Sequence, residues 1–183
     1  MTKNEKNKRM ENKKYKLTDE TMNLLGRTLY RIEALKDFGE IKKGDNGGFV
    51  ESENNLAHDG DAWVSDDACV YNNARVSGNA RVCGNARVYN HACVHGDACV
   101  YGDALVRGDA EISSDADYIV FKNWWSSGRY FTWTRSNNMW SVGCFYGTGE
   151  ELIKKAYKDS ELSGREYERI VKYVEEIRKD NGK

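Results

Sequence analysis

The sequence predicts a mostly-β chain. A β-solenoid of about three to four coils is flanked by an N-terminal cap and a C-terminal α+β module of three strands and two helices. Three observations carry this. The unit Ala-x-Val-x-Gly/Asn-Asp/Asn recurs every six residues from Ala62 to Ile112. A short period held this long marks a solenoid. The period decays on both sides, into a glycine-marked stretch before it and an aromatic-rich stretch after it. Beyond residue 148 apolar residues recur at helical spacing instead.

Within Ala-x-Val-x, side chains alternate between two faces, so alanine and valine share one and the x positions share the other. Gly78, Gly84, Gly96, Gly102, Gly108, Asn72 and Asn90 follow, residue types that tolerate positive φ and turn a corner cheaply. Each unit is therefore one short strand and one bend. Absence of proline fits strands in which every amide donates to a ladder. The unit resembles the hexapeptide repeat of left-handed parallel β-helices. That resemblance implies three units per coil, a left hand, and a triangular prism whose coils stack roughly 4.8 Å apart.

In chain order, residues 1–14 are basic and low in complexity, and are expected to form a disordered tail. Residues 15–49 read as the N-terminal cap. Thr28–Leu35 alternates as a strand, and Gly44, Gly47 and Gly48 mark turns. Residues 50–117 form the β-helix, beginning with a degenerate coil. There Val50 and Leu56 fall in the alanine slot, and Ser52 and His58 in the valine slot. At Ala116 the period fails and residues 118–183 begin the C-terminal module. Strands are expected over 118–125, 130–135 and 139–146. Two helices follow, with capping boxes at Thr148/Glu151 and Ser163/Glu166. Leu152, Ile153 and Ala156 form the apolar face of the first, and Tyr167, Ile170, Val171, Val174 and Ile177 that of the second. The module is a cap, an oligomerisation element or a binding domain.

Charge is uneven. The net is +4 over 1–49, −8 over 50–117 and +3 over 118–183. An acidic prism argues against nucleic acid lying along it, because such binding neutralises phosphates with cations. No segment is long and apolar enough to span a membrane. Five cysteines without Cys-x-x-Cys spacing suggest free thiols and a cytoplasmic setting.

A step of eighteen residues per coil sorts the outward residues into three faces. Trp63, Arg81 and Cys99 share one, Cys69, Arg87 and Leu105 the second, and Arg75, Cys93 and Glu111 the third. On the second face Tyr71, Arg87, Tyr89 and Arg107 form either an aromatic ladder or a subunit interface, where Tyr and Arg are enriched. A catalytic reading falls on His91 or His95 as base, but no loop interrupts residues 62–115 to build an acceptor pocket. His58, His91 and His95 lack the convergence that zinc needs, and no metal or cofactor is expected. In the C-terminal module, Trp124, Trp125, Arg129, Trp133, Arg135 and Trp140 are binding candidates. Aromatics beside arginine stack on nucleotides or anchor protein partners. Cys144 is expected as a buried thiol in a strand.

Together, RTLYRIEALKDF, KKGDNGGFVESENNLAHDG, the array, ADYIVF and GCFYGTGEEL resemble hexapeptide-repeat proteins of phages and prophages over roughly residues 15–178. The resemblance implies an origin and an architecture rather than a reaction. The leading expectation is a non-enzymatic binding protein, a dimer or trimer, acting in the host cytoplasm on a host defence protein or a small signalling nucleotide. The alternative is a hexapeptide-repeat acyltransferase using acyl-coenzyme A.

Overall fold

The six-residue period becomes nine two-residue strands, β4 (Trp63–Val64) to β12 (Glu111–Ile112), in the computed structural model, which describes residues 13–180. Successive strands fall on three parallel sheets in turn: β4 with β7 (Arg81–Val82) and β10 (Cys99–Val100), β5 (Cys69–Val70) with β8 (Arg87–Val88) and β11 (Leu105–Val106), and β6 (Arg75–Val76) with β9 (Cys93–Val94) and β12. The register is constant: Arg81 pairs with Trp63 and Cys99, Arg87 with Cys69 and Leu105, and Cys93 with Arg75 and Glu111. The three outward faces are thus those the alternation defines. Inside, each alanine and valine from Ala62 to Ile112 is at most 1% exposed. With the entering residues, the solenoid makes about four turns.

The corners explain the glycines. Gly78 has φ 68°, and a Cβ there would come within 3.0 Å of the Gly96 amide nitrogen one turn on. Asp66, Asn72 and Asn90 hold the same left-handed conformation with φ of 56–62°, as short polar side chains can. Asn72 Nδ2 also donates to Asn90 Oδ1 at 3.0 Å, so the corners bond to one another along the stack.

The first turn departs from the expected phase. Val50, at the end of β3 (Asn46–Val50), pairs with Val70, and Leu56 bridges to Val76. Both therefore sit opposite valines rather than alanines, and the entering turn is two residues longer than the repeat. Ser52 is not an interior residue; it caps a 3-10 turn at Glu53–Asn55.

The N-terminal cap is a hairpin, β1 (Tyr15–Leu24) and β2 (Arg27–Ala34), paired to β3 so that it extends one solenoid sheet in the order β1-β2-β3-β5-β8-β11. Residues 1–12 of the expected tail lie outside the described residues. The tail's last two residues are fixed: Lys13 pairs with Glu53, and Lys14 is 1% exposed. The Lys14 ammonium donates to the Ala62 and Gly60 carbonyls at 2.6 and 3.2 Å, where the regular turns begin. Burial lowers its pKa to about 8.

The other end is sealed with the opposite polarity. In every earlier turn, outward amides donate to carbonyls of the next turn, as Cys69 does to Ala86. The last turn has no successor, and side-chain oxygens replace one. Cys99 N donates to Asp115 Oδ1 (2.7 Å), Leu105 N to Thr132 Oγ1 (2.8 Å), Glu111 N to Ser136 Oγ (2.7 Å) and Ser113 N to Asp117 Oδ2 (2.9 Å). Tyr101 N donates to the Tyr118 hydroxyl (3.3 Å), which itself donates to Cys99 O (3.0 Å).

Most of those acceptors belong to, or lead into, the C-terminal module. Its sheet is antiparallel, β13 (Tyr118–Lys122), β14 (Tyr130–Thr134), β15 (Met139–Val142) and β16 (Phe145–Gly147). It has four strands, not three. The segment expected as one strand over 139–146 turns at Gly143, where φ is 54°. Cys144 is consequently exposed in that turn, not buried in a strand. Thr132 and Ser141 face the solenoid, whereas Phe131, Trp133 and Trp140 pack with helices α1 (Gly149–Asp159) and α2 (Glu161–Asp180). Thr148 and Glu151 form the expected capping box of α1. For α2 the cap is Ser160, whose Oγ accepts from Ser163 N at 3.0 Å, so Ser163 lies inside the first turn. Among the described residues no helix is long and apolar enough to cross a membrane.

Candidate binding cleft in the C-terminal module

The aromatic and arginine candidates of the module separate by their place in the fold, those within strands going to the core and those in loops or past a strand end remaining wholly or partly open. Trp133 and Trp140 are 3% and 2% exposed and belong to the core between sheet and helices. They do not present a binding surface. Trp133 Nε1 donates to Asn138 Oδ1 at 3.0 Å, and Arg178 lies 5.9 Å over its ring. Arg135 is exposed beside the solenoid end, its amide donating to Asp117 O at 2.7 Å. Trp124, Trp125 and Arg129 belong to the loop joining β13 to β14. Trp124 is 78% exposed. Trp125 is half-buried edge-on to Tyr167, 5.3 Å between ring centroids at 81°. Its Nε1 is buried and finds no hydrogen-bond partner among the described residues.

This loop walls a cleft of about 390 Å³ against the helices. Asn123, Ser126 and Arg129 come from the loop, and Lys155, Asp159 and Tyr167 from the helices. Phe145, Leu152 and Ala156 supply an apolar floor. Asn123 is 3% exposed and organises the loop: Oδ1 accepts from Ser126 N (3.0 Å) and Ser126 Oγ (3.2 Å). Its Nδ2 donates to the Tyr167 hydroxyl at 3.2 Å. Burial raises the Tyr167 phenol above its ordinary range, so it is a protonated donor at neutral pH. Sequence reasoning singled out Arg129 but missed Asn123, Lys155 and Asp159. A lone asparagine amid YIVFKNWW was the available signal, since a buried amide requires partners.

The proposed interface column on the second solenoid face is covered by the chain itself. Tyr71 is 3% exposed beneath Leu29 and Phe49 of the hairpin and its strand. It stacks on Tyr89 at 4.9 Å and 6°. Arg107 lies 5.6 Å over Tyr89 and 4.8 Å over Tyr146, and it donates to Ser141 Oγ and Phe145 O of the module. The column is an intramolecular seam; of the four residues only Arg87 is exposed.

The histidines do not converge on one another. His91 sits exposed at a corner, lining an open polar groove of about 880 Å³ with Asn72, Asn90 and Asp109. His95 lies on the third face, Nε2 2.9 Å from Glu111 Oε1. His58 belongs to the N-terminal seal. Its ring stacks on Tyr15 at 4.4 Å, and Nδ1 accepts from Lys14 N at 3.2 Å. Burial lowers its pKa, against the pull of Glu53. Among the described residues no group of three His, Cys, Asp or Glu side chains is placed to hold a metal.

No protein-family model matches this chain, and no curated protein matches it.

Proposed function

We propose that the chain is a non-enzymatic binding protein of the hexapeptide-repeat, phage or prophage type. In this reading the solenoid, left-handed as the repeat implies, is a rigid scaffold. The C-terminal module recognises a target in the host cytoplasm, a host defence protein or a small signalling nucleotide. One observation carries it. The module's sheet seals the solenoid with one face, and on the helix side leaves an open cleft with Arg129, Lys155 and Asp159 on its walls. Trp124 stands exposed in the loop that forms this wall. A cap alone needs neither the cleft nor the exposed tryptophan, since burying such a ring contributes about 1.5–3 kcal/mol. Association into a dimer or trimer is part of the proposal, with Arg87 the remaining exposed member of the interface column.

The test is affinity capture from host lysate, with co-purifying ultraviolet-absorbing material measured after denaturation. Trp124→Ala is expected to lose the bound species and Trp124→Phe to regain it. Retention of every bound species by Trp124→Ala would overturn the assignment.

One observation favours a second reading: His91 is exposed in the polar corner groove. An acyltransferase using acyl-coenzyme A, with His91 as base, would bind its donor there. Calorimetry with acetyl-coenzyme A decides. No heat at about millimolar donor, a threshold near −4 kcal/mol, retires it.

A further inference from the structure

The cleft carries two cationic donors, Arg129 and Lys155, and the Asn123 amide behind them is already satisfied. Asn123 uses Oδ1 for Ser126 and Nδ2 for Tyr167. The Tyr167 oxygen therefore accepts on its protein side. Among the described residues its own proton has no acceptor, while the residue lines the cleft. Arg129 and Lys155 line it too. Among the described residues, the ion pairs of the helices join Arg165 to Glu161, Arg169 to Glu166 and Lys172 to Glu168, and engage neither cation of the cleft. Arg129 extends across the β15–β16 turn, where a Cβ on Gly143 would meet Nη1 at 3.4 Å. Asp159 is the one carboxylate among the lining residues, so two cations face one anion. Below them lie Phe145 and Leu152.

We propose that this cleft binds a small organic anion. An oxyanion head group, phosphate or carboxylate, is held by Arg129, Lys155 and the Tyr167 hydroxyl, and an apolar body rests on Phe145 and Leu152. Guanidinium and ammonium donors are the groups that recognise such oxyanions. The cleft volume of about 390 Å³ is in the range of small-molecule sites. Asp159 adds selectivity, because it rewards a ligand hydroxyl or amine and repels a second anionic group. The proposal rests on the module being the recognition element and names the class of ligand it takes.

The experiment is calorimetry on the full chain at low salt with matched probes. Adenosine 5′-monophosphate is compared with adenosine, and N-acetylphenylalanine with its amide. At least one anion is expected to bind about tenfold or more tightly than its neutral partner. Arg129→Ala and Lys155→Ala are each expected to weaken it about tenfold or more, the worth of one charge-assisted hydrogen bond. Both side chains are exposed, so unchanged thermal unfolding is expected and checks that the variants fold. Binding of the nucleotide alone identifies a phosphate ligand, and of the amino-acid derivative alone a carboxylate ligand. Equal affinity for charged and neutral partners overturns the proposal, as does undiminished binding by the double variant. Failure of all four probes at about millimolar concentration also overturns it. If Trp124-dependent capture persists in that case, the recognition reading stands without the anion. If capture is absent as well, both fall.

Discussion

Thr132 tests whether side-chain oxygens terminate the solenoid. It is fully buried, and its Oγ1 accepts from the Leu105 amide at 2.8 Å, where a further turn would have placed a carbonyl. Thr132→Val exchanges that hydroxyl for a methyl group at nearly constant volume. No cavity forms, but the Leu105 amide loses its acceptor, at a cost of about 1–3 kcal/mol. Thr132→Ser makes the complementary change. It keeps the acceptor and removes one methyl group, costing about 0.8 kcal/mol in transfer free energy. Valine should therefore be the more damaging replacement, although it is the more hydrophobic and better suited to strands. For a chain of this size each kcal/mol lowers Tm by about 2–4 °C. Loss near 2 kcal/mol then appears as about 4–8 °C for valine, against about 2–3 °C for serine. Urea unfolding with an unchanged m-value gives the free energies. Hydrogen exchange at the Leu105 amide should accelerate in Thr132→Val and not in Thr132→Ser. Valine as stable as wild type, or more stable than serine, would refute the capping argument.

Three further outcomes are expected. Val88→Asp buries a carboxylate in the solenoid interior and should cost several kcal/mol or unfold the chain, whereas exposed Arg87→Ala should change stability by about 0.5 kcal/mol or less in the same urea assay. Gly108→Ala forces an alanine into φ 70° and drives its Cβ into the Tyr146 hydroxyl, so the unfolding free energy from urea titration should fall by more than the ~1–2 kcal/mol of left-handed strain alone. His58 has a depressed pKa in the folded chain, chiefly through burial. The unfolded state therefore binds more protons just below pH ~6.5, and wild-type stability should fall as pH drops below that value. His58→Asn, which keeps an acceptor for the Lys14 amide, should flatten this limb of the stability–pH curve; an unchanged slope would rule His58 out as its source.

The regular turns were legible in the sequence because each step of the repeat is local. Alternation alone puts Trp63, Arg81 and Cys99 on one face, and the observed register agrees. The helix start at Thr148 was legible for the same reason, through the reciprocal bonds of Thr148 and Glu151. What escaped depends on partners remote in the chain. β1 was missed because YKLTDETMNL alternates poorly. Its register shifts between Leu17 and Thr21, and β2 decides that it is a strand at all. Lys14 reads as part of a basic tail, yet the carbonyls of Gly60 and Ala62 bury it. In the module, strand parity separates Trp133 and Trp140 from solvent. β13 ends at Lys122, so no parity argument reaches Trp124 and Trp125. The cleft was illegible for a related reason: Arg129 and Lys155 come to line one cleft only once α1 folds back on the sheet.

The seals at the two ends have a consequence for the length of the molecule. Lys14 bonds carbonyls of the first regular turn, while Asp115, Thr132 and Ser136 bond amides of the last; neither set touches the middle. Between them every turn advances by the same eighteen residues in the same register. A gene duplication or deletion of one such block would leave both closures chemically intact and move them apart or together by one strand spacing, about 4.8 Å. The chain is a ruler with interchangeable divisions, on which the distance from hairpin to cleft can evolve without redesign of either.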